Sequence, residues 1–257
     1  MRRFFIQVPL QDKITISGDD AHHIIHVLRY KIGQNFIVVD VNGKIAETEI
    51  IEIENDILTL QIVSILEENT EAPIEVTLAQ CLPKSDKMDF IVQKAVELGV
   101  SRIIPVISQN CVVKYDDAKK EARRKKWQKI AIEAAKQCGR TILPTVSPIM
   151  QLKQLQLELQ QDTIAFMCYE GQADAAIKSL LTTTEAKKFL ILIGPEGGFT
   201  QNEVTDCKEF GVRVVTMGPR ILRTETASLA AISMVMYQNG DLGGECFGKS
   251  CSHNAGV

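Results

Sequence analysis

The chain has 257 residues, of which 45% are hydrophobic and 24% are charged, and its formal net charge is −3. This composition is typical of a globular protein with room for one large or two modest domains. No stretch reaches the roughly 18 consecutive apolar residues of a membrane span, and the opening MRRFFIQVPL lacks the apolar stretch of a signal peptide. We therefore expect a cytoplasmic protein without a membrane partner, whose nucleic-acid contacts, if any, depend on local basic patches.

Five short runs rich in Ile, Val and Thr occupy the first 70 residues: FFIQV, KITIS, FIVVD, KIAETEIIEIE and DILTLQIVSIL. Turn signals such as Asn42-Gly43 separate them, as is typical of β-strands. Between the second and third runs, DDAHHIIHVLRYKIG has an acidic start and a glycine stop, which predicts one helix. We predict a small β-barrel over residues 1–70, followed by a polar linker, EENTEAP.

Strands and helices alternate from Ile74 onward. Continuous apolar runs such as LILI fit parallel strands that are covered on both faces. Thr200 and Glu203 form a T-x-x-E capping box at the start of a predicted helix. Glycines that should end helices stand at Gly99, Gly139 and Gly211. We predict an α/β domain with a mostly parallel sheet over residues 74–240 and a disordered tail at 241–257.

Two glycine-containing loops follow predicted strands, in ILIGPEGGFT and MGPRILRTETAS. Ligands of open α/β sheets bind beyond the carboxyl ends of the strands, and glycine lets backbone amides approach a ligand closely. Each loop alone fits an ordinary tight turn, but together they predict two walls of one pocket. Neither G-x-G-x-x-G nor G-x-x-x-x-G-K-[ST] is present, which argues against an NAD-dependent oxidoreductase and a P-loop protein.

These same two loops resemble those of the RsmE family of SPOUT RNA methyltransferases. The resemblance extends to RRFF, HHIIHVLR, LPKSDKMDFIVQKAVELGV and KWQKIAIEAAKQCGR, and so covers nearly the whole chain from Arg2 to about Gly240. Met217 stands where the family usually has leucine. The cysteine- and glycine-rich tail beyond Gly240 is not part of the family pattern, and its role stays open.

The resemblance implies an RNA-binding PUA-like β-barrel at residues 1–70 and a SPOUT α/β domain with a trefoil knot at residues 74–240. It further implies a homodimer that uses S-adenosylmethionine to methylate N3 of a uridine in 16S ribosomal RNA, within the small ribosomal subunit. Two alternatives stay open: a related SPOUT enzyme acting on transfer RNA or on a ribose 2′-hydroxyl, and a non-catalytic RNA-binding protein.

Cofactor contact is expected from both loops, at Ile193, Gly194, Pro195, Glu196, Gly197, Gly198, Met217, Gly218, Ile221, Leu222, Thr224, Thr226 and Ala227. Glu196 either holds its turn by accepting hydrogen bonds from loop amides, which we favour, or faces the sulfonium or the substrate. Arg223 and Glu225 are the candidate catalytic residues. They either brace one another, or Arg223 stabilises the deprotonated uracil oxygens while Glu225 orients the base.

A cationic run on one predicted helix could either be a solvated helix face or bind RNA phosphates, and the resemblance favours RNA. Its members are Lys119, Lys120, Arg123, Arg124, Lys125, Lys126 and Lys129. The candidate RNA-binding residues in the whole chain are Arg2, Arg3, His22, Arg29, Lys84, Lys87, Arg123, Arg124 and Arg140.

No metal site is expected. His22 and His26 have the i, i+4 spacing of zinc ligands, but no cysteine or carboxylate at matching spacing accompanies them. The seven cysteines are scattered and form no C-x-x-C pair, so we expect reduced thiols. Cys246, Cys251 and His253 in the tail do not suggest a metal site either.

Overall fold

The computed structural model describes residues 3–67 and 69–244. Arg2 and most of the predicted disordered tail, from residue 245 on, lie outside these residues. The chain divides into two compact units. Of the described residues, the N-terminal unit contains the chain up to Glu71 together with Lys136–Ile142, and the C-terminal unit contains Ala72–Ala135 and residues 143–244.

The N-terminal unit is built on a mixed sheet of five strands in the order β1-β3-β4-β5-β2. The strands are β1 (Arg3–Phe5), β2 (Lys13–Ile16), β3 (Asn35–Val39), β4 (Ile45–Glu54) and β5 (Ile57–Leu66). β1 pairs parallel with β3, and the remaining pairs are antiparallel. Alternate residues of these strands point into one core around the fully buried Phe36. All five predicted strands are confirmed.

The helix predicted between β2 and β3 is present but short. It begins as α1 (Asp19–His22) and continues as a π-helical turn over His23–Val27. Ile24 is its fully buried anchor in the sheet core. The helix stops before Gly33 because Arg29 already adopts a left-handed conformation, with φ of 57°.

Glu71 and residues 140–142 form a partly buried polar cluster in the N-terminal unit. The Glu71 carboxylate accepts hydrogen bonds from the Arg140 guanidinium, and the Arg140 Nη2 to Glu71 Oε2 distance is 2.5 Å. The backbone N–H groups of Thr141 and Ile142 donate to the same carboxylate at 2.7 and 3.0 Å. Burial raises the pKa of Glu71, but the Arg140 hydrogen bond, its positive charge and the two amides outweigh burial and lower the pKa.

The C-terminal unit is an α/β fold with an all-parallel sheet in the order β11-β13-β10-β12-β6-β7-β8, and β9 pairs with β7. Its strands are β6 (Glu75–Cys81), β7 (Arg102–Ile107), β8 (Thr145–Val146), β9 (Met150–Gln151), β10 (Thr163–Cys168), β11 (Ala175–Ala176), β12 (Lys188–Ile193) and β13 (Arg213–Thr216). Its helices are α2 (Lys87–Glu97), α3 (Asp117–Cys138), α4 (Ile177–Thr182), α5 (Gln201–Glu209) and α6 (Thr224–Asn239), and a 3-10 helix spans Leu152–Glu158.

The apolar run FLILI forms the centre of this sheet. Every residue of Phe189–Ile193 is at most 2% exposed, because helices cover both faces of β12. The predicted helix ends are confirmed as well: Gly99, Gly139 and Gly211 have φ of 92°, 77° and 90°. The predicted α/β class is therefore correct. The short strands β8, β9 and β11 gave no recognisable sequence signal, and the trefoil knot stays a prediction.

Candidate functional site

The carboxyl ends of three neighbouring parallel strands form a cleft at one edge of the sheet. Ile193 at the end of β12 is in register with Cys168 of β10 and with Gln80 of β6. The cleft has a volume of about 320 Å³. Its lining residues are Lys87, Cys168, Glu170, Ile193, Gly194, Pro195, Glu196, Gly198, Phe199, Ile221, Leu222, Arg223, Thr224 and Ala227.

A second, smaller cleft of about 90 Å³ adjoins the first, and Tyr169, Met217, Gly218 and Arg220 line it. Five residues line both clefts: Cys168, Glu170, Ile221, Leu222 and Ala227. Nearly all the residues predicted from the two loops therefore lie together. The exceptions are Gly197, Glu225 and Thr226, which line neither cleft.

The first loop needs its glycines for different physical reasons. The Gly198 N–H donates to the carbonyl of Pro195 at 3.0 Å, closing a tight turn in which Gly198 has φ of 64°. Gly197 is not in the left-handed region; instead, a Cβ there would lie 2.9 Å from the Cβ of Asn110. The Asn110 amide donates to the carbonyls of Gly197 and Gly198 at 3.0 and 3.2 Å. Gly197 is thus required for packing against Asn110.

The predicted capping box fixes the end of the first loop. The Thr200 hydroxyl accepts from the Glu203 N–H, and the Glu203 carboxylate accepts from the Thr200 N–H at 2.9 Å. Glu203 also accepts from the backbone N–H of Gln109 at 2.7 Å. The first turn of α5 is therefore fixed by its own capping box and by a hydrogen bond from the turn after β7.

A buried polar network joins the second loop to the sheet. The Gln80 amide donates to the Thr224 hydroxyl at 3.0 Å, and the Thr224 hydroxyl donates to the Gly194 carbonyl at 2.6 Å. The Ser228 hydroxyl donates to the Gln80 side-chain oxygen. Gln80 and Ser228 are fully buried and Thr224 is 5% exposed. Since buried polar groups require partners, this network fixes the start of α6 against the end of β12.

Lys87 bridges two carboxylates. Its Nζ lies 3.0 Å from Oε1 of Glu196, which follows β12, and 3.1 Å from Oε2 of Glu225, which lies in the first turn of α6. The Lys84 backbone N–H also lies 3.2 Å from each Glu196 carboxylate oxygen. Glu196 thus holds a neighbouring loop through one amide and one ammonium group.

The charges in this bridge support one another. Hydrogen bonds to Glu196 and then to Glu225 raise the pKa of Lys87. Burial raises the pKa of Glu196, but the hydrogen bonds from Lys87 and backbone amides outweigh it, so the pKa is lowered. The pKa of Glu225 is also lowered, because its own backbone N–H and Lys87 outweigh burial. All three groups are therefore charged near neutral pH.

Arg223 differs from Glu225 in its surroundings. Arg223 is exposed and lines the cleft, and within the described residues no carboxylate forms an ion pair with it. The cation that pairs with Glu225 is Lys87, and Arg223 only adds a weaker charge effect on the pKa of Glu225. The arrangement thus gives no ion pair between Arg223 and Glu225 and leaves the Arg223 guanidinium free to contact a ligand.

Three residues near the clefts were missed in the sequence. Glu170 follows β10 and lines both clefts, and one of its carboxylate oxygens lies 2.7 Å from where a Cβ on Gly198 would be. The rule that selected the other loops, a glycine-containing loop just after a buried strand, would also have found Glu170, which precedes Gly171 in TIAFMCYEG. Gln80 and Asn110 also contact the loops, but they lie far from the loops in the sequence, so no local pattern could have identified them.

The predicted RNA-binding residues differ in their exposure and in whether their charges are already paired. Lys84 and Arg29 are exposed, while Lys87 is held in the carboxylate bridge. Arg124 pairs with Glu121 at 2.7 Å, and the Arg3 guanidinium donates to the Gly139 carbonyl. His22 is exposed, and its ring lies 4.6 Å from that of His26. Arg123 is described below, and Arg2 lies outside the described residues.

Arg140 does not suit the predicted role. It is only 5% exposed, and its guanidinium bonds the partly buried Glu71. Because an RNA phosphate could not reach a buried guanidinium without breaking this pair, the structure argues against phosphate binding at Arg140.

Within residues 3–67 and 69–244, no group of three or more His, Cys, Asp or Glu side chains could hold a metal ion. His26, one of the two histidines at zinc-ligand spacing, instead lies 2.7 Å from Asp56. In the same part of the chain, none of the helices has the length and apolar character needed to cross a membrane.

Comparisons with known proteins extend over both units. Residues 70–236 match the RNA methyltransferase domain family, and residues 16–63 match the RNA methyltransferase PUA domain family. Ribosomal RNA small subunit methyltransferase E of Bacillus subtilis (strain 168) is 36% identical over 255 residues, covering 95% of this chain and 100% of the relative.

Two solved structures are similar along nearly their whole length. Ribosomal RNA small subunit methyltransferase E from Neisseria gonorrhoeae, bound to S-adenosyl methionine, is 32% identical with a TM-score of 0.84, covering 94% of this chain and 99% of that one. A methyltransferase from Legionella pneumophila, in complex with the cofactor SAM, is 29% identical with a TM-score of 0.82, covering 93% and 98%. With a PUA-like N-terminal unit and a SPOUT α/β unit, this chain belongs to the ribosomal RNA small subunit methyltransferase E family.

Proposed function

We propose that this chain is an S-adenosylmethionine-dependent methyltransferase that modifies N3 of a uridine in small-subunit ribosomal RNA. The observation that carries the proposal is the cleft itself, in which two glycine-containing strand-end loops face an exposed arginine without an ion-pair partner in the described chain. The solved relatives that bind the cofactor, and the curated relatives named for small-subunit ribosomal RNA, support the choice of donor and acceptor.

The residues of the cleft fit adenosylmethionine. Its volume of about 320 Å³ is at the lower end of ordinary ligand pockets. Ile221, Leu222 and Ala227 offer apolar cover for an adenine ring, and the adjoining backbone offers hydrogen bonds. Gly218 has φ of 120°, and a Cβ there would project into open space beside the smaller cleft. The carboxylate of Glu170, which lines both clefts, complements the positive charge of the cofactor.

The chemical difficulty lies with the acceptor. When bound, the sulfonium supplies an activated methyl group, so no metal is needed for that step. The uridine N3 must lose its proton to solvent water, which leaves negative charge on the uracil oxygens until the new N–C bond replaces the methyl–sulfur bond. An arginine can donate to such oxygens in a fixed planar geometry. We assign this role to Arg223.

The remaining charged groups hold the cleft in shape. Glu196 and Glu225 are both engaged by Lys87, and their pKa values are lowered, which makes each a weak proton acceptor near neutral pH. We therefore assign Glu196, Lys87 and Glu225 to joining three segments of the cleft wall. This favours the supporting role for Glu196 and argues against direct contact between Glu225 and the base.

The RNA-binding role of the N-terminal unit and the homodimer are parts of the same proposal. Exposed cations in that unit, such as Arg29, suit phosphate contact.

The homodimer would use small residues at the start of α6. Some of them pack inside the C-terminal unit, since Ser228 and Ala231 are fully buried there. Ala227 and Ala230 keep partial exposure and are the ones available to a second copy. Light scattering should give twice 28.6 kDa, and a monomer that binds cofactor would contradict the dimer.

Calorimetric titration with adenosylmethionine tests the cofactor, because a non-catalytic RNA-binding protein would give no heat of binding. Mass-spectrometric mapping of ribosomal and transfer RNA from cells with and without the gene tests the acceptor. We expect one N3-methyluridine in small-subunit ribosomal RNA to disappear. Loss of a transfer RNA or 2′-O-methyl modification instead would overturn the assignment of substrate and atom. Cytoplasmic localisation is part of the same proposal, because ribosomal RNA is the substrate proposed.

A further inference from the structure

The cationic run of α3 divides into two classes of side chain. Lys120 pairs with Asp117 at 2.8 Å, Arg124 with Glu121 at 2.7 Å and Lys126 with Asp89 at 2.5 Å. These carboxylates neutralise the cations that they contact. A net cationic surface can therefore arise only from the members of the run that have no close acidic partner.

Lys119 has no such partner within the described residues, Arg123 has only a long 3.9 Å contact with the exposed Asp86, and the two cations lie together. The Lys119 Nζ lies 5.2 Å from the centroid of the Tyr115 ring and the Arg123 guanidinium lies 5.8 Å from it. Within the described residues, no carboxylate forms an ion pair with Lys119. The nearby Asp116 is used as a helix cap, accepting from the Lys119 backbone N–H at 2.7 Å. The aromatic face thus holds two cations side by side.

This pair lies close to the candidate site. The Arg123 Nη1 is 3.9 Å from Asp86, which is 80% exposed and directly precedes Lys87 of the cleft wall. Lys84, three residues before Lys87, is exposed and forms no ion pair within the part of the chain described. Lys84, Arg123 and Lys119 therefore form a cationic strip that begins beside the cleft and continues onto α3.

We propose that this cationic strip binds the phosphates of the RNA strand that carries the target uridine. The inference rests on the proposed function, since it takes RNA as the substrate. A strand whose base enters the cleft must continue along the surface beside it, and phosphates bind where cations are not already neutralised. Lys120 and Arg124 directly follow Lys119 and Arg123 in the sequence, but their charges are neutralised by ion pairs, so they contribute little to RNA affinity.

The sequence offers a matched test. Lys119→Gln with Arg123→Gln removes one lysine and one arginine from the strip. Lys120→Gln with Arg124→Gln removes the same two residue types from the neighbouring positions of the same helix. Both double variants change the net charge equally, so any difference between them reports position rather than total charge.

Filter binding to an unmodified 16S ribosomal RNA transcript would be measured over a range of salt concentrations. We expect the strip variant to lose about tenfold or more in affinity and its salt slope to decrease by about 1.4, as for two lost single-strand phosphate contacts. The control variant should stay within about twofold of the wild type. Unchanged melting temperature and adenosylmethionine affinity would show that both variants keep the fold and the cleft.

Equal losses in the two variants, or no loss in either, would overturn the proposal. Failure of the proposed function gives a different result. If the wild type methylates no ribosomal RNA but the strip variant still loses RNA affinity selectively, the strip stands and the enzymatic assignment falls. If the wild type methylates its substrate and the strip variant binds RNA normally, the strip falls and the enzymatic assignment stands.

Discussion

The Thr224 hydroxyl donates a 2.6 Å hydrogen bond to the Gly194 carbonyl, which ties the first residue of α6 to the residue that follows β12. The two loops of the cleft are thereby joined within the protein, before any ligand is present. Gln80 completes the link by donating to the same hydroxyl from the neighbouring strand β6.

Thr224→Val should weaken cofactor binding by on the order of tenfold, because it removes this bond and leaves the Gly194 carbonyl without its donor. Thr224→Ser keeps the hydroxyl and should restore most of the affinity. Calorimetric titration of both variants with adenosylmethionine gives the comparison. If both variants bind as the wild type does, the link between the loops is not needed for the cofactor.

Gln80→Leu tests the same network from the sheet side. It should lower the free energy of unfolding by about 1–3 kcal/mol, since the buried hydroxyl groups of Thr224 and Ser228 each lose a partner. Thermal unfolding measures the loss, and cofactor affinity measured well below the melting temperature separates stability from binding. A variant as stable as the wild type would show that the network is unimportant for the fold.

Gly197→Val and Gly198→Val should both abolish or greatly weaken cofactor binding, for different reasons. At Gly198 the left-handed backbone excludes a β-branched residue. At Gly197 the new Cβ would meet Asn110 at 2.9 Å. Asn110→Gly should therefore rescue affinity in part for Gly197→Ala but not for Gly198→Ala. Equal rescue of both would contradict this distinction, and normal affinity in the single variants would show that the loop is only a turn.

Glu170→Gln tests a residue that the sequence did not suggest. If this carboxylate acts on the sulfonium of the cofactor, the variant should lose more affinity for adenosylmethionine than for S-adenosylhomocysteine, whose sulfur is neutral. If Glu170 instead accepts hydrogen bonds from the ribose hydroxyls or from the ammonium group, which both ligands carry, both should be weakened equally. Unchanged affinity for both would remove Glu170 from the binding site.

Arg223→Lys should keep most of the cofactor affinity but lose about a hundredfold in rate, because an ammonium group lacks the planar guanidinium donors. Higher pH should restore part of the rate, since the uracil N3 then ionises without help. Single-turnover rates across pH, measured with Glu225→Gln for comparison, test this. Parallel losses of cofactor affinity in the two variants, with no pH response, would make Arg223 a structural residue.

The sequence located the clefts because their signals are local. A buried strand followed by glycine marks each wall, and the parallel sheet brings the carboxyl ends of β12 and β13 to one edge. The Thr200 capping box was equally readable, since both partners lie within one helical turn. These features need no knowledge of distant residues.

The partners of the loop residues were not predictable in the same way. Because Glu225 and Arg223 are close in the chain, the sequence allows an ion pair between them. In the folded protein the partner of Glu225 is Lys87, far earlier in the chain. In the sequence, Gln80 is one polar residue in an apolar strand, and only the tertiary fold shows that its amide donates a hydrogen bond to Thr224. Contacts of this kind depend on which helices cover which strand ends, and no periodic pattern encodes that.

Acid should destabilise the N-terminal unit through Glu71. Its pKa in the folded protein is lowered from the ordinary 4.5, so the stabilisation is present above about pH 4.5 and is lost as pH falls through the lower folded value. Glu71→Gln should reduce this dependence on pH and cost about 3 kcal/mol at neutral pH, because it removes the carboxylate charge that bonds the buried Arg140 guanidinium. Calorimetric unfolding between about pH 3 and pH 7 tests both expectations. An unaltered pH dependence in the variant would mean that other carboxylates are responsible.

The Glu71 cluster also bears on how the protein can be divided for experiments. The groups that neutralise and bond this partly buried carboxylate come from residues 140–142, far along the chain. A truncated fragment that stops shortly after Glu71 would keep the carboxylate but lack the Arg140 guanidinium and the two backbone N–H groups that bond it. We therefore expect such a fragment to be poorly folded on expression, and RNA-binding measurements on the N-terminal unit to require a circularly permuted or full-length protein.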